Sequence, residues 1–263
     1  MLDPSPLHQH VVVNTCDAVH VPYSDLALEF AIHEGFFNAK IPCAMLGRVE
    51  PVNRLTYAKR ELGDGQITMS QIKQISRELG FHPTVVEFVG DPIVAAMAGR
   101  CFSGVTPYIT GFFHTEIGCV LDLRLSAHTR EFAYFESAFR GDVLGPIGDG
   151  SIHIHISTER RDVLSDAHLA SLETEMELLG APTSQVVYIR PISTEVIVGR
   201  WNYAAISSEV CTLLNTLRIE FSPKTISLSM EGDPFVGYVV GDLLIDDSVQ
   251  HVAFFNQNME LIR

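Results

Sequence analysis

The sequence predicts an α+β protein with a mostly antiparallel sheet and three or four helices packed on it. Two segments, Thr68 to Leu79 and Ser165 to Leu179, place apolar residues at helical spacing and end near a glycine. From Tyr108 onward, short apolar or alternating runs typical of strands predominate. One of them, SIHIHIST at 151–158, alternates strictly with period two. Helices that bury one face against such a sheet give an α+β architecture.

The individual elements follow from apolar spacing and from turn residues. Asp91 and Pro92 suit the N-cap and first position of one of the helices. Segments with helical spacing or a helix start cover 24–37, 68–79, 91–102, 165–179 and 204–217, and we expect three or four of them as packed helices. The predicted strands cover 10–21 (with a turn), 41–46, 84–89, 108–114, 118–126, 130–137, 151–158, 184–192, 195–200, 225–230, 236–245 and 250–257.

The domain organisation has two interpretations. The segment 141–150, GDVLGPIGDG, is rich in Gly, Pro and Asp, and it either separates an N-terminal part (1–140) from a C-terminal part (151–263) or forms a long hairpin loop in one continuous domain. We find no internal repeat and no low-complexity tract.

Composition and charge exclude several classes of function. The chain has 263 residues, 32 acidic against 18 basic, and a formal net charge of -14. So acidic a surface repels phosphate, which argues against nucleic-acid binding. No apolar run is long enough for a membrane span, and no signal peptide is visible, so we expect no membrane partner and a cytoplasmic location. We allow for a homodimer.

Two histidines raise the hypothesis of a metal site. His153 and His155 stand two residues apart on a predicted strand, so both project from one face. A third ligand such as His114, Glu116 or His128 on a neighbouring strand would complete a zinc or iron site. The simpler interpretation is a row that faces solvent or a cleft, with the alternating isoleucines in the core. We expect no cofactor, with a divalent transition metal as the alternative.

Further candidate residues are carboxylates, a histidine and arginines. His114 and Glu116 share a strand face, as a general acid/base pair would. Arg54 and Arg60 add local positive charge to an acidic chain, and arginine binds carboxylates in bidentate fashion, so we expect a carboxylate-bearing small-molecule substrate. Ion pairs on a helix face explain the same charges.

A resemblance to a known family covers about residues 21–90. The order VPYSDLALEFAIHEGFF (21–37), RLTYAKREL (54–62), DGQITMSQIKQI (64–75) and then VVEF resembles Pictet–Spengler cyclases of the marinacarboline type, which are related in fold to cyclophilin-like opine synthases. The resemblance implies condensation of an amino acid with an aldehyde, with Glu87 as acid/base group and Arg60 as substrate-holding residue. Gln74 stands where the family has a histidine. The run DGQIT, a helix and VVEF is also similar to the opening of the chorismate-lyase fold, whose downstream arginine–serine strand is not evident.

Three hypotheses about function follow. The first is a cofactor-independent lyase or cyclase of biosynthesis that forms or breaks a C–C or C–N bond, with Glu87 transferring protons. The second is a metal-dependent enzyme that uses His153 and His155. The third is a non-catalytic ligand-binding or interaction module, which the lack of any sharp catalytic motif leaves open.

Overall fold

A computed structural model gives the architecture. It describes residues 8–14, 28–32, 44–49, 51–58, 68–78, 84–103, 109–114, 119–122, 134–142, 145–147, 150–159, 163–193, 203–244 and 251–263. Within these ranges the helices are α1 (Met69–Glu78), α2 (Pro92–Ser103), α3 (Asp166–Leu178), α4 (Tyr203–Phe221) and α5 (Pro234–Leu243). The strands are β1 (His8–Asn14), β2 (Leu28–Ile32), β3 (Ala44–Val49), β4 (Pro51–Ala58), β5 (Thr84–Val89), β6 (Ile109–His114), β7 (Cys119–Asp122), β8 (Phe135–Phe139), β9 (Ser151–Ser157), β10 (Thr183–Pro191), β11 (Thr225–Glu231) and β12 (His251–Phe255).

The α+β class is confirmed, but the prediction of a mostly antiparallel arrangement is wrong. The strands form a seven-stranded sheet in the order β3-β2-β7-β6-β5-β1-β4 and a five-stranded sheet in the order β12-β11-β9-β10-β8. In the five-stranded sheet the neighbours are parallel except for β8 and β10. In the seven-stranded sheet only the pairs β2–β3 and β6–β7 are antiparallel among the described pairings. Helices between successive strands make this parallel pairing possible.

Two predicted elements have the wrong type. The range 24–37 contains strand β2 rather than a helix, and its backbone pairs with β3 and β7. Residues 236–245 fall largely in α5, although their valines favour a strand. Helix α5 begins in the same way as α2, because the Asp233 side chain caps it and Pro234 is its first residue. The predicted strand at 195–200 lies outside the described residues.

The fold contains an internal repeat, so the expectation of none is wrong. Four strands of the seven-stranded sheet, β4-β1-β5-β6, and four of the five-stranded sheet, β10-β9-β11-β12, share one order relative to their order in the chain. In each set the third strand leads through the sequence Gly-Asp-Pro into a helix, at Gly90-Asp91-Pro92 and at Gly232-Asp233-Pro234. Sequence inspection alone misses this repeat because the rest of the two halves differs.

The two repeat helices, α2 and α5, pack directly on each other. Gly99 and Gly241 are each the eighth residue of their helix, and a Cβ on either would overlap a backbone carbonyl oxygen of the other helix, that of Tyr238 and of Ala96 respectively. Ala96 and Tyr238 are each the fifth residue, so the contact is reciprocal. Contacts advance together along both helices, which therefore run parallel.

The hydrophobic core includes residues from both sheets. One cluster joins α2, α4 and α5 to the isoleucine face of β9 and to β1 and β5. A second, smaller cluster lies under α3 on the other face of the five-stranded sheet and includes Leu169, Leu172, Met176 and Phe255. The number of domains stays a prediction.

Candidate functional site

The order of the strands creates a reversal point in each half of the chain. From β9 the chain returns as β10 on one side, and after α4 it crosses to the other side of β9 as β11. The first half does the same around β1, with β4 on one side and β5 on the other. In open α/β sheets, ligands bind outside the carboxyl ends of the strands at this point. The candidate site therefore lies beyond the ends of β9 and β11, and of β1 and β5.

The Gly-Asp-Pro sequences occupy these two points. The Asp91 carboxylate accepts a hydrogen bond from the backbone N–H of Ile93 at 3.0 Å. The Asp233 carboxylate accepts from the N–H of Phe235 at 2.8 Å and of Val236 at 3.3 Å. Each aspartate thus satisfies N–H groups that the first helical turn would otherwise leave unpaired.

A glycine with positive φ precedes each aspartate. The φ angles are 107° at Gly90 and 101° at Gly232, a conformation in which other residues are strained. A Cβ on Gly232 would also overlap the hydroxyl oxygen of Thr158. The two turns therefore share a positive φ that favours glycine.

Thr158 ties the ends of β9 and β11 together. Its Oγ1 accepts a hydrogen bond from the backbone N–H of Asp233 at 2.8 Å, and its own N–H donates to the carbonyl oxygen of Glu231 at 3.2 Å. The residue is fully buried. These bonds fix the start of α5 relative to β9.

Both reversal points lie at the same end of the molecule. Because α2 and α5 run parallel and each starts at the carboxyl end of its strand, the ends of β5 and β11 face the same side. At this end Gly90 and Glu159 are exposed, and so are two aliphatic side chains, Val163 (59%) before α3 and Ile192 (38%) after β10. We call this end, with its two Gly-Asp-Pro turns and its aliphatic rim, the carboxyl-end site.

Desolvation shifts the pKa of Asp91 at this site. Burial raises the pKa of its carboxyl group above the usual value, and the hydrogen bond from the Ile93 N–H opposes this rise in part. Carboxylates and backbone groups at such a site can accept hydrogen bonds from hydroxyl and amino groups of a ligand, and the exposed aliphatic side chains can contact a flat apolar surface.

The predicted histidine pair lies on β9 but has no exposure to solvent. His153 and His155 are buried, so the interpretation of a solvent-facing row is wrong. β9 is the central strand of its sheet, and α3 covers the histidine face. The alternating pattern therefore marks a strand with one apolar and one polar buried face.

Serine hydroxyl groups of β11 lie within hydrogen-bond distance of the histidine nitrogens. His153 Nδ1 lies 3.0 Å from Ser227 Oγ and its Nε2 lies 2.9 Å from Ser229 Oγ, while His155 Nδ1 lies 2.8 Å from the same Ser229 oxygen. Ser227 Oγ also lies 3.2 Å from the carbonyl oxygen of Ile152, to which it can donate. Ser227 then accepts from His153 Nδ1–H, Ser229 donates to His153 Nε2, and Ser229 accepts from His155 Nδ1–H. We call these four side chains the histidine–serine ladder.

Burial keeps both imidazoles of the ladder neutral. Burial lowers the pKa of His153 to about 3, with a smaller contribution from His155, and lowers that of His155 to about 4, with a smaller contribution from His168. Among the residues that the structure describes, no group of three His, Cys, Asp or Glu side chains could hold a metal ion.

Of the other predicted site residues, Glu87 is the one whose side chain the structure describes. Glu87 is fully buried in the middle of β5, in register with Val12 and Phe113 of the neighbouring strands. For Arg54 in β4 and His114 in β6 only the backbone is described. Arg60, Glu116 and His128 lie outside the described residues.

Comparison with known proteins finds solved structures whose fold is similar to that of this chain. No family model and no curated protein matches the sequence. A solved structure of the Acinetobacter baumannii Cap4 SAVED/CARF-domain containing receptor with the cyclic trinucleotide 2'3'3'-cAAA matches with a TM-score of 0.52 and 12% identity, over 97% of this chain and 50% of that one. Another structure of the same receptor matches with a TM-score of 0.50 and 10% identity, over 80% and 45%. The chain therefore spans about half the length of these receptors.

This similarity corrects the predicted function. The chain is similar in fold to about half of a SAVED/CARF-domain containing receptor, and neither matched structure is a lyase or a cyclase. The prediction of a Pictet–Spengler-type acid/base enzyme is therefore wrong. Neither of the two matched structures bears on the resemblance of residues 21–90 to Pictet–Spengler cyclases. Within the described ranges, no helix is long and apolar enough to cross a membrane.

Proposed function

We propose that this chain is a non-catalytic receptor module that binds a small nucleotide, of the cyclic oligonucleotide class, at the carboxyl-end site. The observation that carries the proposal is the meeting of two equivalent reversal points at one end of the molecule. A ligand with repeated units can use two equivalent half-sites at once. The matched receptor was solved with a cyclic trinucleotide, which has such units.

The chemistry of the site supports recognition through sugar and base groups. The partly exposed Asp91 and the exposed Glu159 carry carboxylates that can accept from hydroxyl and exocyclic amino groups. Val163 and Ile192 supply apolar surface suited to the face of a nucleobase. The net charge of -14 argues against long polyanions, but a ligand with only two or three phosphates needs only local donors. This proposal replaces the expected carboxylate-bearing substrate and keeps the expected small-molecule partner.

Thermal unfolding of the full chain tests this proposal. We expect 2'3'3'-cAAA or another cyclic di- or trinucleotide at about a hundred times its Kd to raise Tm by roughly 5–10 °C, because a ligand that binds only the folded state stabilises it. Linear AMP should give a much smaller shift, since it occupies one half-site. Absence of any shift, and of any heat in calorimetry with the whole panel, would contradict the proposal.

A rim variant locates the binding site. Ile192→Glu places a carboxylate beside the ligand's phosphates and should weaken binding by about tenfold or more, through charge repulsion and loss of apolar contact. The matched control is Ile219→Glu, at an exposed isoleucine near the end of α4 and thus at the opposite end of the sheet. Equal affinities of the two variants would exclude the carboxyl-end site.

A further inference from the structure

Exposure to solvent increases along one face of β10 toward the carboxyl-end site. Residues of a strand alternate between its two faces, so Tyr188 and Arg190 share one face and Ile189 lies on the other. Tyr188 is buried with its ring centroid 6.1 Å from that of His155, and it packs in the cluster under α3. Two residues further along, the Arg190 side chain is 22% exposed, and the exposed Ile192 of the aliphatic rim follows. Arg190 therefore lies where the cover of α3 ends and the site begins.

The fold places the positive charge of Arg190 at the ligand end of the sheet. The residue is the next to last of β10, which runs parallel to β9, so its carboxyl end lies at the same edge. Four other described basic residues lie at the opposite edge, where helices lead back into strands. They are Arg77, Arg100 and Arg218 in the last turns of α1, α2 and α4, and Lys224 directly before β11. In a chain with a net charge of -14, a guanidinium at the ligand end supplies the local positive charge that a phosphate group needs.

A carboxylate on the neighbouring strand holds this guanidinium. Arg190 Nε donates to Glu136 Oε1 at 3.2 Å, and the two residues stand directly opposite each other in the antiparallel pair of β10 and β8. The Glu136 side chain is 36% exposed, so its carboxylate can turn toward water when another anion binds. The planar fork of a guanidinium matches two oxygens of a phosphate as well as it matches a carboxylate. Glu136 is thus an anionic partner that a phosphate can replace.

We propose that Arg190 binds a phosphate group of the ligand at the carboxyl-end site, in exchange for Glu136. This inference rests on the proposed function and adds the side chain that selects a phosphate-bearing ligand over a neutral nucleoside. A phosphate bound to Arg190 stands beside the aliphatic rim, where the base of the same nucleotide can cover Ile192. The rigid strand fixes the guanidinium before the ligand arrives, so little side-chain freedom is lost on binding.

Calorimetric titration of the full chain with 2'3'3'-cAAA at two salt concentrations tests this role. Arg190→Gln should weaken binding by about tenfold or more and make the affinity less dependent on salt, because a charge-assisted contact to phosphate is lost. The matched control, Lys224→Gln, removes one positive charge at an exposed residue of the opposite edge and should change affinity by less than about twofold. Equal affinities of these two variants would overturn the inference and leave the proposed function standing. Absence of binding to the unaltered chain by every cyclic di- and trinucleotide would overturn both.

A second variant, Glu136→Gln, separates phosphate binding from a structural role of the ion pair. It breaks the same pair as Arg190→Gln but retains the guanidinium, so it decides the question even if Arg190→Gln does not fold. We expect Glu136→Gln to tighten binding of 2'3'3'-cAAA severalfold, because it removes a carboxylate that competes with the phosphate and repels it. An affinity equal to or below that of the unaltered chain would overturn the exchange of Glu136 for phosphate. Thermal unfolding shows whether each variant is folded.

Discussion

Single hydroxyl groups determine how the histidine face of β9 is buried. Central parallel strands are usually apolar on both faces, yet here two imidazoles are placed under α3. Their burial is tolerated because each nitrogen of His153 and Nδ1 of His155 faces a serine oxygen. Ser229 contributes most, since its one oxygen bonds to both rings.

Ser229→Ala should therefore destabilise the protein far more than loss of a surface serine. The change leaves two buried imidazole nitrogens without a partner, each at a cost of roughly 1–3 kcal/mol. Denaturant unfolding measures the free energy of unfolding of this variant and of Ser70→Ala, an exposed position in α1. Similar values for both variants would show that the ladder contributes nothing to stability.

The sequence predicts the ladder only in part. Strict alternation correctly indicates a strand with His153 and His155 on one face, but an exposed polar face and a buried, satisfied one have the same pattern. The partners come from β11, more than 70 residues along the chain, as the separation of 74 between His155 and Ser229 illustrates. Burial and partners therefore depend on strand order, which local spacing does not encode.

Packing of α2 on α5 joins the two repeats. Gly99 and Gly241 allow the helix backbones to approach so closely that either Cβ would meet a carbonyl group. Backbone cannot rotate away as a flexible side chain can. The wrong prediction of a strand at 236–245 has the same origin. Close packing lets tertiary contacts override the strand preference of the valines in α5.

Gly241→Val should unfold the protein or destabilise it severely. Overpacking usually costs about 1–3 kcal/mol, and more where backbone must move. Gly145→Ala is the matched control, since a Cβ there has open space and the change should stay within roughly 0.5 kcal/mol. A melting temperature for Gly241→Val close to that of the control would contradict the direct helix contact.

The carboxyl-end site depends on the fold of the whole molecule. No local motif predicts it, because it arises where strand order reverses in two separate sheets and where α2 and α5 start side by side. The one local signal is the repeated Gly-Asp-Pro. It was visible in the sequence at residues 90–92 and 232–234, but only the fold shows that both copies lie at one end.

The stability of the whole chain should fall as pH decreases from about 6.5 to about 4. His153 and His155 have folded pKa values of about 3 and about 4 against 6.5 for an ordinary histidine. In that window the unfolded chain binds protons that the folded chain excludes, so stability rises with pH, by up to about 2.7 kcal/mol per pH unit for two histidines. The contribution is fully present above pH 6.5. The raised pKa values of Asp91 and Glu209 act in the opposite direction and reduce the slope.

Urea unfolding across this pH range provides the measurement, with one histidine removed at a time. His155→Gln keeps a hydrogen-bonding side chain that does not titrate, so the slope should decrease by about one proton, or roughly 1.4 kcal/mol per pH unit. The unaltered chain, measured under the same conditions, gives the reference slope. An unaltered slope in His155→Gln would mean that this imidazole is protonated equally in the folded and unfolded chains, and the neutral histidine–serine ladder would then be wrong.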